Sequence, residues 1–452
     1  MTLSETISQF AVNARYEDLD ESQITSAKGA ISDCMGCAIA GSAEKLGVII
    51  QKVARASSSA GQSTMLGSKG LVSAQAAALS NGTSAHALDF DDILWSMYGH
   101  PSTVVCPAAW AIAELTQATG KDLILAFAIG VEVVGKLGRF ANPMHYEHGW
   151  HATGTIGVMG ATVACAKLMK LNALQTAHAI GIAASEACGV RRNFGTMTKP
   201  FHAGNAARGG VLACELALQG FTSDLTALEG TFGWFQNMQA MTIPTSSDLE
   251  KVLGRTWELT SPGIVLKRYP ACGGTHCALD AIIYLKKKYD FSFDQIKAIQ
   301  CNAHPLAKKV LLYPRPQTPL EGKFSMEFSL AVAAIEGQAS KKQYDQSLID
   351  DPRVTALMKK ISFNEDAQLF PNASADAVPA EVTVDVGSQS FIKKVLIPSG
   401  DPRNPMQDSD RLDKFLSCTN RILKDETANK LWQKLERLEL ATSVRELLEP
   451  LQ

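Results

Sequence analysis

The first ~260 residues of the chain carry helical periodicity and are rich in alanine and glycine. Residues that commonly cap helix N-termini, such as Asp20 and Ser73, precede several of the periodic segments. The pattern predicts helices at about residues 20–40, 73–82, 104–116, 120–134, 154–170, 173–186, 203–219 and 247–254. Because small residues allow helix backbones to approach closely, we expect these helices to form one large bundle.

The composition changes near Ser261-Pro262-Gly263, and strand patterns follow. Residues 296–303 are typical of a strand. Residues 380–386 and 390–396 alternate β-branched and polar side chains on either side of Gly387-Ser388-Gln389, which predicts a hairpin. Further helices are predicted at about 276–288, 325–337, 351–360, 408–417, 425–437 and 443–450.

The length of the chain favours two domains. A single core stops growing beyond roughly 250–300 residues, and this chain has 452. The sequence therefore predicts a mainly α protein. Residues 1–262 and 398–452 are predicted to form a large all-helical domain. Residues 263–397 are predicted to form a smaller, inserted α+β lid domain. The cleft between the two domains is the expected position of a site.

Charge and hydropathy argue against several classes of protein. Lys plus Arg (43) nearly balances Asp plus Glu (45), unlike the composition of a nucleic-acid binder or a polybasic membrane binder. No apolar run is long enough to cross a bilayer, and the N-terminal stretch is too polar for a secretory signal. The ten cysteines are scattered, as in a reducing compartment, so we expect a cytoplasmic location.

The densest polar cluster is AHALDFDD (85–92), in which Asp89 is the first of three carboxylates. The motif GHPS (99–102), which contains His100, follows shortly after it. Close carboxylates raise one another's pKa and can hold a neighbouring histidine or lysine protonated. A simpler alternative is a helix-capping cluster with a turn. A calcium loop is disfavoured because DFDD lacks ligands at alternate positions and a closing glutamate.

Two further clusters place a titratable residue at a predicted helix start. In GWHATGTIG (149–157), His151 precedes a glycine-rich start whose free N–H groups suit carboxylates. In GVRRNFGTMTKPFHAGN (189–205), Lys199 precedes a proline and can bind a carboxylate or, if desolvated, transfer a proton. Arg191 and His202 lie in the same stretch. The simpler alternatives are close helix packing by the glycines and an ordinary solvated lysine.

A fourth stretch, KRYPACGGTH (267–276), lies at the predicted domain junction and contains Arg268. It places His276 at a helix start, where a histidine is less readily protonated and can act as a base; the alternative is a capping or core histidine. Tyr313 lies among prolines before GKFS (322–325), where packing is the simpler role. Cys34 and Cys37 form a lone CxxC without a second pair, and no histidine spacing fits a metal, so no metal site is expected.

As a set, these stretches resemble the MmgE/PrpD family. The matching runs, in order along most of the chain, are NGTSAHALDFDD, GHPS, GWHATGTIG, NFGTMTKPFHAGNAA, KRYPACGGTH and GKFS. The family includes 2-methylcitrate dehydratases, cis-aconitate decarboxylases and iminodisuccinate epimerases. The resemblance implies a helical domain built from both chain ends with an inserted α+β lid, a homodimer, and no iron–sulfur cluster.

The resemblance also implies roles for individual residues. We expect His151 and Lys199 to transfer protons, His100 and His276 to bind or protonate the substrate, and Asp89 to orient a neighbour. Tyr313 is a weaker match to a catalytic position of the family. The residues expected to bind substrate are Arg191, Arg268 and His202.

One loop departs from part of the family. Ile93 stands where the mammalian decarboxylase branch has a threonine, and the loop from there to His100 is one residue longer. The stretch NFGTMTKPFHAG is closer to the prokaryotic epimerase and dehydratase-like branch.

The shared chemistry is proton transfer at a carbon flanked by carboxylates, where fixed cations stabilise an enediolate-like transition state. We therefore predict a cofactor-independent lyase that acts on a small di- or tricarboxylate by proton abstraction, like a 2-methylcitrate dehydratase or a cis-aconitate decarboxylase. One alternative is an iminodisuccinate epimerase-like isomerase that uses the same site. The others are a non-catalytic polycarboxylate-binding protein on the same scaffold and a metal-dependent hydro-lyase.

Overall fold

The structure is a computed structural model that describes residues 1–58, 61–368, 370 and 377–449. Its first part contains α1 (Leu3–Asn13), α2 (Glu21–Ser42), α3 (Lys45–Ala56), β1 (Ser63–Thr64), β2 (Leu71–Val72), α4 (Ala74–Ala85), α5 (Ser102–Leu115), α6 (Gly120–Ala141), α7 (Met144–Glu147), α8 (Ala152–Thr155), α9 (Gly157–Leu168), α10 (Ala173–Glu186), α11 (Thr198–Leu218), α12 (Trp234–Asn237) and α13 (Ser246–Val252).

The second part is mixed. It contains α14 (His276–Tyr289), β3 (Ala298–Ala303), α15 (Pro305–Val310), α16 (Pro319–Gly322), α17 (Met326–Glu336), α18 (Gln346–Ile349), α19 (Pro352–Met358), β4 (Ile361–Glu365), β5 (Ala380–Asp385) and β6 (Ser390–Val395). The chain then returns to helices, which are α20 (Asp408–Thr419), α21 (Asp425–Leu435) and α22 (Arg445–Leu448). Among the described residues, none of the helices combines the length and apolarity that a bilayer crossing requires.

The prediction of a mainly α protein is confirmed, and the predicted caps hold two of the helices. Asp20 accepts a hydrogen bond from the backbone of Gln23 at the start of α2, and Ser73 caps α4 in the same way. The structure differs at α11, which begins at Thr198 rather than near residue 203. Lys199 therefore lies in the first turn of this helix, where the following proline is tolerated because the first N–H groups have no intrahelical acceptor.

The four-stranded sheet has the order β4-β3-β5-β6. The predicted hairpin is confirmed, since β5 and β6 pair antiparallel with Asp385 opposite Ser390. β4 pairs parallel with β3 and was not predicted, because a five-residue strand with only Phe363 buried has little apolar alternation. The sheet packs on α14 and α17.

Helices α4 and α11 approach each other almost backbone to backbone. A Cβ atom at Gly82 would lie 2.9 Å from the Cα of Gly204, and one at Gly204 would lie 2.2 Å from the carbonyl oxygen of Leu79. Only glycine fits at such a crossing. The close contact brings the C-terminal end of α4, with His86, beside the first turn of α11, with Lys199.

The C-terminal helices pack against the first part of the chain. Helix α20 lies on α2, and a Cβ at Gly36 of α2 would meet the ring of Phe415 at 3.0 Å. The division into residues 1–262 plus 398–452 and a lid of residues 263–397 stays a proposal, which this packing supports.

Replacing Gly204 with alanine tests the close approach. The added methyl group would overlap the backbone of Leu79, so we expect Gly204→Ala to lower the free energy of unfolding by about 1–3 kcal/mol or more. Urea denaturation followed by circular dichroism measures the change. Gly29→Ala is the matched control, because the nearest atom to its Cβ is a side-chain nitrogen of Arg411 at 3.4 Å. Gly29→Ala should leave the free energy of unfolding unchanged or raise it by up to about 1 kcal/mol. Equal stability of the two variants would contradict the close approach of α4 and α11.

Candidate active site

Four of the predicted site residues line one cavity, which measures about 70 Å³ and therefore holds more than a single water molecule. They are Asp89, His100, His151 and Lys199. The cavity is also lined by Lys267 and by apolar and aromatic side chains, including Ile93, Trp95, Phe194, Leu306 and Phe324. Residues from both the first and the second part of the chain therefore enclose it.

Asp89 is buried between two ammonium groups. Its Oδ1 accepts a hydrogen bond from Nζ of Lys199 at 2.5 Å, and Nζ of Lys267 lies 3.1 Å from Oδ2. Burial on its own would raise the pKa of Asp89, but the two lysines outweigh it and hold that pKa well below its ordinary value. Asp89 also has a positive φ of 51°, a conformation that aspartate tolerates better than most residues. The carboxylate thus holds both ammonium groups at the cavity.

The loop that carries Asp89 is held through its carbonyl groups by three buried lysines. Lys323 donates to the carbonyl oxygen of Leu88 at 2.7 Å, Lys267 donates to that of Asp89 at 2.9 Å, and Lys414 donates to that of Phe90 at 2.8 Å. Burial lowers the pKa of Lys323 to about 8. These lysines come from separate segments of the chain, so the loop position depends on tertiary packing.

Two imidazoles meet behind the cavity at Asp91. Nδ1 of His86 lies 2.9 Å from both carboxylate oxygens of Asp91, and Nδ1 of His100 lies 3.0 Å from Oδ2. Nε2 of His86 faces Nζ of Lys199 at 2.8 Å. Burial lowers the pKa of His86 to about 3, so this imidazole is neutral near pH 7.

His151 is held by the imidazole of His202. Its Nδ1 lies 3.0 Å from Nδ1 of His202, and its ring packs edge-on against Phe194 with centroids 4.9 Å apart. Burial, and then the positive charge of Lys199, hold the pKa of His151 well below its ordinary value. Burial also lowers the pKa of His100. Both imidazoles that face the cavity are therefore neutral near pH 7 and can accept protons.

Carboxylates offset the two ammonium groups that line the cavity. The two ammonium groups of Lys199 and Lys267 stand against the carboxylates of Asp89 and Asp91. A di- or tricarboxylate that enters the cavity adds negative charge in a poorly solvated place, which favours protonation of nearby imidazoles. We therefore expect such a ligand to bind together with protons.

Among the residues that the structure describes, one group of side chains beside the cavity has metal-ligand spacing. Ligand atoms of His86, Asp89 and His100 lie within 4.8 Å of one another. However, the ammonium of Lys199 contacts both the Nε2 of His86 and the carboxylate of Asp89. A divalent cation there would be repelled at close range by this ammonium, so the arrangement does not fit a resident metal ion.

The remaining predicted residues lie outside the cavity lining. His276 is buried, with Nε2 3.2 Å from the carbonyl oxygen of Ala271 and its ring edge-on to Tyr269. His202 supports His151 from behind. The hydroxyl of Tyr313 donates to the carbonyl oxygen of Phe194, which places it behind the cavity wall.

The structure does not support the predicted substrate-binding role of the two arginines, Arg191 and Arg268. Arg191 donates to the carbonyl oxygens of Tyr146 and Lys309 and stacks on the Tyr146 ring. Arg268 is exposed and pairs with Asp410 at 3.2 Å. Neither lines the cavity, because each is bound to a different part of the protein, and the cations there are lysines.

Sequence reasoning did not single out several residues that the structure brings to the site. Lys267 lies in the recognised KRYP stretch and Lys323 in GKFS, so their motifs were visible although their roles were not. His86 and Asp91 lie in the recognised AHALDFDD cluster. Nothing in the sequence around Lys414 distinguishes it from a surface lysine.

Comparisons with known proteins show the family to which the chain belongs. The sequence profile of the MmgE/PrpD N-terminal domain matches residues 5–244, and that of the C-terminal domain matches residues 269–440. The chain belongs to the MmgE/PrpD family.

Relatives in this family are named as decarboxylases. The cis-aconitate decarboxylase of Homo sapiens is 27% identical over 93% of this chain and 88% of its own length. That of Mus musculus is 28% identical over 80% of this chain and 75% of its own length. That of Aspergillus terreus is 24% identical over 98% of this chain and 94% of its own length. The comparisons give no support to the epimerase alternative that the NFGTMTKPFHAG stretch favoured.

The pH dependence of stability tests whether the carboxyl group of Asp92 is protonated in the folded protein. Burial raises the pKa of Asp92 to about 8, above its ordinary value, and its carboxyl group bonds to Ser102. A raised folded-state pKa means that the stability contributed by the proton is complete below the ordinary pKa and is lost as the pH rises towards 8. We expect Asp92→Asn to remove this loss, because an amide mimics the protonated acid.

The measurement is urea unfolding of the variant and the wild type between pH 5 and pH 9. The stability of Asp92→Asn relative to wild type should rise by roughly 1 kcal/mol per pH unit up to about pH 8 and then level off. Asp20→Asn is the control. Hydrogen bonds to Ser22 and Gln23 lower the pKa of this exposed capping carboxylate, so the stability difference between this variant and the wild type should not change between pH 5 and pH 9. A flat difference for Asp92→Asn would mean that this carboxylate is ionised in the folded protein.

Proposed function

We propose that this protein is a lyase that decarboxylates a small unsaturated tricarboxylate of the cis-aconitate type. The observation that carries the proposal is the cavity in which two lysines and two neutral imidazoles converge, Lys199 and Lys267 with His100 and His151. The names of the relatives in three organisms support the same reaction. A decarboxylase of this kind needs cations for the carboxylates and a group that protonates carbon, and the cavity offers both.

The proposed reaction uses the residues that line the cavity. Lys199 and Lys267 bind substrate carboxylates as point charges. The bond to the departing carboxylate breaks, its electron pair forms a new carbon–carbon double bond, and the far carbon of the original double bond takes a proton. We assign that proton transfer to Lys199, whose ammonium supplies a proton, and to His151, which takes up a proton when the substrate carboxylates bind. His100, protonated in the same way, holds a further carboxylate. Atoms balance as carbon dioxide and a dicarboxylate with one carbon fewer.

The proposal includes independence from metals and organic cofactors, supported by the ammonium that contacts both His86 and Asp89. It also includes the homodimer implied by the family resemblance and the cytoplasmic location expected from the cysteines, all ten of which are free. Light scattering measures the oligomeric state, and a monomer would contradict the proposed homodimer.

A deuterium experiment tests the reaction. Purified protein is incubated in D₂O with cis-aconitate, citrate, methylcitrate or iminodisuccinate and followed by NMR. We expect carbon dioxide release from cis-aconitate alone, with one deuterium in the dicarboxylate product, because the protonating group exchanges with solvent. Water loss from citrate or methylcitrate would instead identify a dehydratase, and deuterium exchange into iminodisuccinate would identify an epimerase.

Replacing the central lysine tests its role. Lys199→Ala removes both a cation and a proton donor, so we expect kcat/KM to fall by about 100-fold or more. Lys251→Ala is the control, because this lysine is 71% exposed and lies on α13 outside the cavity. A wild-type rate for Lys199→Ala would remove this residue from the reaction, and an equal loss in the control would show a general effect on the protein.

A further inference from the structure

Asp91 is a fully buried carboxylate that touches two imidazoles but does not line the cavity. We propose that Asp91 and His86 are positioning residues: together they fix which ring nitrogen of His100 faces the substrate and couple His100 to Lys199. This inference rests on the proposed function for its catalytic consequence, and on hydrogen-bond chemistry alone for the positions of the protons.

The neighbours of His100 determine where its proton lies. Its Nδ1 lies 2.7 Å from the carbonyl oxygen of Asp92 and 3.0 Å from Oδ2 of Asp91. A carbonyl oxygen and an ionised carboxylate can only accept hydrogen bonds, so Nδ1 must carry the proton. In the neutral ring, Nε2 then has a free electron pair, and His100 lines the cavity. His100 is thus prepared to accept a proton from the substrate side or to bind a protonated group there.

The neighbours of His86 determine its proton in the same way. Its Nδ1 lies 2.9 Å from both oxygens of Asp91, which requires a proton on Nδ1. Its Nε2 lies 2.8 Å from the ammonium of Lys199, which can only donate. His86 therefore accepts a hydrogen bond from Lys199 and donates one to Asp91, and it keeps one ammonium proton directed away from the substrate.

A continuous path of hydrogen bonds follows from these two assignments. It runs from Lys199 through His86 and Asp91 to His100, and its two ends are the groups that meet the cavity. When Nε2 of His100 takes a proton, the Nδ1 proton stays in place and the ionised Asp91 stabilises the imidazolium that forms, as in other carboxylate–histidine pairs. Because the same carboxylate also bonds His86, the charge of His100 and the orientation of Lys199 depend on each other.

The two neighbouring carboxylates do not take this role. Asp89 is bound to the two lysines. Asp92 bonds to the hydroxyl and the backbone N–H of Ser102. Asp91 is therefore the member of the DFDD run that is arranged to orient imidazoles.

Nitrogen NMR of the histidine side chains tests the proton positions without any reaction. Uniformly ¹⁵N-labelled wild-type protein is recorded near pH 7, and the resonances are assigned with His86→Gln and His100→Gln. We expect both residues to be neutral and protonated at Nδ1. A proton on Nε2 of either ring would overturn the proposal. This result stands even if the reaction screen identifies another activity or none, so the failure of the proposed function is distinguished from the failure of this inference.

Asp91→Asn tests the catalytic consequence. We expect kcat to fall by about 100-fold or more while KM changes by only a few fold, because the substrate does not touch Asp91 and the imidazolium of His100 loses its counter-charge. Glu114→Gln is the matched control, because Glu114 is a buried carboxylate that bonds to Thr64 instead of an imidazole. The kcat of this control variant should stay within about twofold of the wild-type value. An unchanged kcat for Asp91→Asn would contradict the proposal. If this variant does not fold, the wild-type proton positions decide it.

Discussion

The buried pairing of Asp89 with Lys199 and Lys267 is the interaction on which the site depends. It joins three segments that lie far apart in the sequence, and it places two ammonium groups at the cavity. Removing one partner of a buried pair leaves an uncompensated charge and costs about 3–5 kcal/mol. The same carboxylate therefore stabilises the fold locally and holds the cations that a polycarboxylate would meet.

The packing of the helices explains how this pairing forms. Gly82 and Gly204 allow α4 and α11 to touch, so the end of one helix and the start of the other meet. Buried lysines then fix the loop that follows α4 through its carbonyl groups, including Lys414 from α20. The C-terminal part of the chain thus contributes to the position of residues near its beginning.

The sequence was sufficient to find the residues whose local setting is distinctive. His100, His151 and Lys199 stand at helix starts within polar motifs, and the structure brings them to one cavity. Local sequence could not reveal contacts that depend on distant packing. Arg268 lies in a motif shared with the family and was expected to bind substrate, but Asp410 of α20 holds it at the surface. The strand β4 was missed for a similar reason, since its pairing with β3 rather than its own composition defines it.

The most direct test of the account is a calorimetric titration with a saturated tricarboxylate that cannot react, propane-1,2,3-tricarboxylate, in two buffers of different ionisation enthalpy. The neutral imidazoles, and the carboxylate that already pairs with Lys199 and Lys267, predict binding with net uptake of protons near pH 7. The observed heat should therefore depend on the buffer, and Lys267→Met should weaken the binding. The claim that Asp89, Lys199 and Lys267 form a polycarboxylate site would be contradicted by no binding at all. It would also be contradicted if the wild type and Lys267→Met bound the tricarboxylate equally tightly and without proton uptake.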